Sequence, residues 1–134
     1  MSRSLNDLRP EVRPLVDKFL DAVAAAGIDL LVTCTYRSLD DQAALYAQGR
    51  SVPGKIVTRA MPGQSAHNYG MAIDVVPIVN GKPEWSTLDP VWITIGDMGE
   101  QAGLTWLGNP TSGFMEYPHF ELPHWKQVVT LIRT

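Results

Sequence analysis

The chain has a single cysteine, Cys34, so no intrachain disulfide can staple it. That excludes the small secreted scaffolds built on disulfides. It has no basic excess: 11 Lys and Arg stand against 14 Asp and Glu, a net charge of −3. The cationic footprint of a nucleic-acid-binding domain is missing. No apolar run is long enough to span a bilayer, and the most apolar segment, residues 23–32, is broken by Gly27 and Asp29. Met1 to Leu8 hold no apolar h-region, so the sequence predicts synthesis as a soluble cytoplasmic chain without a signal peptide. What is present is a hydrophobic fraction of 45% over 134 residues, enough to build one core. The expectation is a single domain, residues 1–134. Cys34, in an apolar β-rich run, reads as a buried inert thiol rather than a nucleophile.

Val12, Leu15, Val16, Phe19, Leu20 and Val23 recur at helical spacing and predict a helix closed by Gly27, with Pro10 or Pro14 in its first turn. Ile28 to Tyr36 reads as a buried strand. Ser38 caps a second helix running to about Gln48, with Asp41 at the capping-box position. Residues 49–63 are rich in Gly, Pro and basic side chains and read as a loop. Its Arg50, Lys55 and Arg59 are each ordinary solvated cations taken singly; together they can attract an acidic substrate. Ala72 to Val79 reads as a strand, and Asn80-Gly81 as a two-residue hairpin turn into a short arm. Asp89-Pro90 starts a third helix that Gly103 ends. Leu104 to Leu107 and His119 to Leu122 read as short strands, and the chain from Pro123 onward as a tail packed on the body. Regular βαβ alternation is absent, so the fold class is α+β with an antiparallel sheet.

The chemistry concentrates in Ser65-Ala66-His67-Asn68-Tyr69-Gly70-Met71-Ala72-Ile73-Asp74 and, later, in Glu116-Tyr117-Pro118-His119-Phe120-Glu121. Two histidines, an aspartate and a spare carboxylate are the parts of a catalytic zinc site, which has three protein ligands and one open position. Asp74 lies inside an apolar strand, and a buried carboxylate needs a partner, either a metal or an arginine. Glu116, three residues before His119, is either a base beside the metal or a surface acid. Glu121 shares a strand face with His119, where it either orients the imidazole or is simply exposed. His124 reads as a surface histidine.

These residues resemble a known family. Ser65-x-His67-x-x-Gly70-x-Ala72-x-Asp74 matches the S-x-H-x-x-G-x-A-x-D signature of the M15 zinc peptidases. Glu116-x-x-His119 matches the family's second motif, and Tyr36-Arg37-Ser38 its arginine-bearing segment. The resemblance runs from about Leu30 to Leu122 and is strongest to the phage L-alanyl-D-glutamate endopeptidases, the endolysin branch. It departs at Trp106-Leu107-Gly108-Asn109-Pro110, where close relatives carry a second tryptophan, and at Glu116, where many carry aspartate.

The resemblance implies a Hedgehog/D-Ala-D-Ala-peptidase-like fold, a central antiparallel sheet flanked by helices. It implies His67, Asp74 and His119 as Zn2+ ligands, Glu116 as general base, Arg37 as the oxyanion-binding cation, and Ser65 beside the site. The expected activity is hydrolysis of the peptidoglycan stem peptide at the L-Ala–D-Glu bond, by a monomer. The expected route is release to the periplasmic cell wall through a lesion made by a separate membrane-permeabilising protein. The rivals are a D-Ala-D-Ala carboxypeptidase or dipeptidase, and a non-catalytic zinc-containing wall-binding module. For Arg37 the alternative is a surface salt bridge to Asp40 or Asp41.

Overall fold

Val12, Val16, Phe19 and Val23, spaced for one helix face, are all buried on α1 (Arg13–Ala25). Pro14 is the proline in the first turn, where its missing N–H costs nothing. In this computed structural model, which describes residues 1–110 and 115–133, α1 and α3 (Val91–Gln101) pack on one face of an antiparallel sheet. The sheet runs β1-β2-β5-β4, with β1 Asp29–Cys34, β2 Ala72–Val79, β4 Thr105–Trp106 and β5 His119–Glu121; β3 (Lys82–Pro83) pairs with β2. The α+β class and the central antiparallel sheet are as expected.

The hairpin between β2 and β3 forms at Asn80 (φ 54°) and Gly81 (φ 76°), the two positive φ values a type I′ turn requires. Ser38 caps α2 (Leu39–Ala47) by accepting from the Asp41 N–H at 3.0 Å. Gly96 and Gly99 bring α3 onto the sheet. A methyl group at Gly99 would lie 2.3 Å from the Phe120 ring, and one at Gly96 would lie 2.4 Å from Trp106. Phe120 also meets Phe19 of α1 at 4.6 Å. Because Phe120 faces the helices, its strand neighbours His119 and Glu121 face the opposite side.

One expectation is corrected. The chain after Pro123 is a helix, α4 (Trp125–Arg133), not an irregular tail. Its β-branched run has weak helix propensity. Tertiary packing supplies what propensity does not: Trp125 and Val129, one helical turn apart, are both buried, and Trp125 lies 5.6 Å from the Tyr69 ring.

Candidate active site

Sheet register assembles the centre of the site. Cys34 on β1 pairs with Asp74 on β2, and Asp74 pairs with His119 on β5, so three adjacent strands contribute one row. The row lies on the face away from α1 and α3. Above it sits the short 3-10 helix Ala66–Tyr69, which carries His67. Ser65 caps that helix, accepting from the His67 N–H at 3.3 Å, and Asn68 completes the capping box. Gly70 at φ 65° turns the chain directly into β2, and a side chain there would strike the Asp7 carbonyl. The motif is contiguous in sequence because one turn and the start of one strand build half of the centre.

Each imidazole is held through one nitrogen. His67 Nδ1 lies 2.9 Å from the Thr35 carbonyl, which accepts from it, and His119 Nε2 lies 2.8 Å from Glu121 Oε1. Glu121 is therefore the group that orients His119 rather than an exposed strand residue. With those nitrogens donating, the remaining nitrogen of each neutral ring carries a lone pair. Both lone pairs face the same oxygen: His67 Nε2 is 3.0 Å and His119 Nδ1 is 3.1 Å from Asp74 Oδ1. His67 Nε2 is buried and out of line for a hydrogen bond, so it has no hydrogen-bond partner.

Three acceptor atoms crowded around one point are stable only with positive charge between them. Without a metal, protons supply it. Burial opposes protonation of His67, but the Asp74 carboxylate outweighs it and raises the pKa to about 9. Burial likewise opposes protonation of His119, but bonds to Asp74 and Glu121 raise it to about 10. Asp74, against its own burial, is held far below the ordinary carboxylate range by the two imidazoles. Two imidazoles and a carboxylate converging on one point, with one orphaned nitrogen, fit a zinc ion in a three-ligand catalytic arrangement. Cys34 Sγ joins the cluster with His67 and Asp74, their donor atoms all within 4.8 Å of one another. It is buried, and Arg37 Nη2 approaches it at 3.8 Å.

Around this centre is a cleft of about 710 Å³ lined by Arg37, Ser65, Glu116 and Tyr117 as well as the three converging side chains. Glu116 is half-buried, and burial raises its pKa against the pull of the nearby imidazoles. Arg37 does not pair with Asp40 or Asp41. Its Nη2 lies 3.8 Å from Asp74 Oδ2, and its Nη1 donates to Gln42 Oε1 at 3.0 Å.

Gln42 is a residue that sequence reasoning missed as part of the site. It is fully buried and ties Arg37 to the loop after α2, donating to the Ala60 carbonyl at 2.8 Å. Asn68 was also missed; it donates to the Arg37 carbonyl at 3.0 Å and accepts from the Gly63 N–H at 3.0 Å. Trp85, 56% exposed, lines the cleft from the β3–α3 connection. Asn68 did have a local signal, its capping-box spacing from Ser65 inside the motif, but a glutamine on a helix or a tryptophan in a loop is usual on any surface and gave none.

The VanY model, described as D-alanyl-D-alanine carboxypeptidase, matches residues 5–114. The chain is 35% identical over 132 residues to the peptidoglycan L-alanyl-D-glutamate endopeptidase CwlK of Bacillus subtilis strain 168, covering 87% of this chain and 74% of the relative. In fold it resembles the solved L-Ala D-Glu endopeptidase ChiX of Serratia marcescens, with a TM-score of 0.71 at 20% identity over 94% of this chain and 90% of that one. It also resembles a mutant of the vancomycin-resistance D,D-pentapeptidase VanY solved in complex with Zn(II), with a TM-score of 0.61 at 17% identity over 95% and 79% of the two chains.

Proposed function

Because the chain belongs to the VanY family of peptidoglycan peptidases, we propose that it is a zinc endopeptidase cutting the stem peptide between L-alanine and D-glutamate. The observation that carries the chemistry is the convergence of His67 Nε2, His119 Nδ1 and Asp74 Oδ1, with Glu116 beside them in the same cleft. The choice of bond is supported by the 35% identity to an L-alanyl-D-glutamate endopeptidase.

His67, Asp74 and His119 would hold the ion, which when bound supplies Lewis-acid polarisation of the scissile carbonyl and a nucleophile at neutral pH. Glu116 takes a proton from the attacking water on its carboxylate and returns it to the departing amine nitrogen. A carboxylate whose pKa is raised by burial is suited to hold that proton between the two steps. Arg37 donates hydrogen bonds to the carbonyl oxygen as negative charge develops there. Gln42 fixes the guanidinium plane, so little reorientation is needed during reaction. Glu121 and the Thr35 carbonyl keep each imidazole presenting the correct nitrogen.

The same proposal makes the chain a lysin of phage type that reaches the wall through a lesion opened by another protein. No described helix is long and apolar enough to cross a membrane. A second reading, cleavage of D-Ala-D-Ala, draws on the family description itself. One digest separates the two. Purified sacculi are treated with the protein, with and without a chelator, and the released muropeptides are weighed. New amino-terminal D-glutamate that disappears with the chelator is the expected result. Free D-alanine instead would move the assignment to the carboxypeptidase reading, and release unaffected by the chelator would remove the metal from it.

A further inference from the structure

Beside the catalytic cleft lies a second hollow of about 580 Å³, lined by Arg59, Ala60, Gln64, Tyr69, Trp125 and Lys126 among others. The two cavities share Arg59, Ala60, Gln64 and Trp125, so the hollow opens from one side of the cleft. The cleft mixes three acids, Asp74, Glu116 and Glu121, with Arg37 and Arg59, whereas the hollow's described lining holds two cations and no acid. Lys126 is exposed with its Nζ 5.6 Å from the Trp125 ring, and it stands in the first turn of α4, where the helix dipole adds positive potential. The cleft lining, unlike that of the hollow, also carries the exposed apolar side chains of Trp85 and Met115.

We propose that this hollow is the subsite for the acidic, departing side of the stem peptide, with Arg59 and Lys126 taking the free carboxylate of the D-glutamate that follows the cut bond. The inference rests on the function proposed above and sets its direction. The uncharged L-alanine side stays in the cleft, and the acidic side turns toward the hollow at the shared residues Gln64 and Arg59. Of the three loop cations seen in the sequence, only Arg59 lines either cavity. Arg50 instead lies over the Tyr46 ring and donates to the Thr58 carbonyl, which helps to hold the loop in place. A cationic subsite makes the enzyme prefer stem peptides with a free D-glutamate carboxylate over those in which it is amidated.

The test uses two synthetic stem peptides, identical except for a free or an amidated D-glutamate carboxylate, and measures kcat and KM for each. The wild type is expected to show a lower KM for the acid by about threefold to fivefold, the size of an exposed ion pair, and the preference should shrink as salt rises. In Lys126→Glu the preference is expected to vanish or invert through KM, with kcat for either peptide within about twofold. Lys18→Glu, which makes the same charge change on exposed α1, keeps it. Calorimetry of both peptides on Glu116→Gln reads the same preference without turnover. Equal KM for the two peptides, unmoved by Lys126→Glu, overturns the subsite alone. Cleavage of neither peptide overturns the function on which it rests.

Discussion

The sheet side of the site and the loop side are built on different principles. Asp74, His119 and Glu121 sit on paired strands whose neighbours Ile73, Val75 and Phe120 are fully buried. Their positions are locked by backbone register and by a close-packed core. Residues 50–65 contain no buried residue and no regular element. A few side-chain bonds tie that segment down: Gln42 to Ala60, Arg50 to Thr58, Tyr69 to Gly63, and Asn68 to Gly63. The difference separates two tasks. Groups proposed to hold a metal need fixed geometry: Asp74 and His119 sit on paired strands, and His67 on a capped 3-10 turn that leads straight into one of them. Groups that meet a long and variable substrate can sit on a segment that adjusts.

The strongest way to break the comparison is to remove a group from the rigid side. His119→Ala is expected to abolish stoichiometric zinc binding and with it all measurable turnover. Metal analysis by mass spectrometry checks it, and full zinc content in the variant would take His119 out of the ligand set. Glu116→Gln keeps the shape and removes the base, so zinc content stays while kcat falls about 10²–10⁴-fold. Near-normal turnover with intact zinc would show that another group accepts the proton.

Arg37→Ala sits at the join of the two sides. A loss of about 10²–10³ in kcat with unchanged metal is expected if the guanidinium stabilises the oxyanion. Normal kcat with slightly lower melting would reduce Arg37 to a structural partner of Gln42.

The metal-free protein sharpens the rigid side in another way. The folded-state pKa values of His67 and His119, about 9 and about 10, lie above the ordinary 6.5. Protons bound there stabilise the fold fully below about pH 6.5, and that contribution is lost as pH rises through about 9 to 10. The melting temperature without metal is therefore expected to fall across that window. Zinc bound by these side chains would displace those protons, so its protective effect is expected to grow in the same direction. A flat metal-free profile would show that the imidazoles are not paired with Asp74 in solution.

The smallest effect is expected on the loop side. Arg50→Ala changes stability by no more than about 0.5 kcal/mol, as for an exposed site. It frees the Thr58 carbonyl and loosens the segment, so KM rises a few-fold at constant kcat. A drop in kcat with unchanged KM would mean that the loop takes part in the chemistry rather than in holding substrate.

What the amino-acid order determines by itself here is local. The periodicity of α1, the apolar run of β2 and the Asn80-Gly81 turn are set by neighbours a few residues apart, and all three form where the sequence predicts them. The candidate ligands were legible for the same reason: His67 and Asp74 are bound by one turn and one strand start, and Glu116 and His119 by another short span. Helix α4 was not legible, because its stability comes from burying Trp125 and Val129 against distant elements. Nor was the Gln42–Arg37–Asp74 chain, the choice of nitrogen on each histidine, or the gathering of Arg59, Tyr69 and Lys126 around one hollow. Those contacts join residues far apart along the chain, and only the register of β1, β2 and β5 and the docking of α4 bring them together.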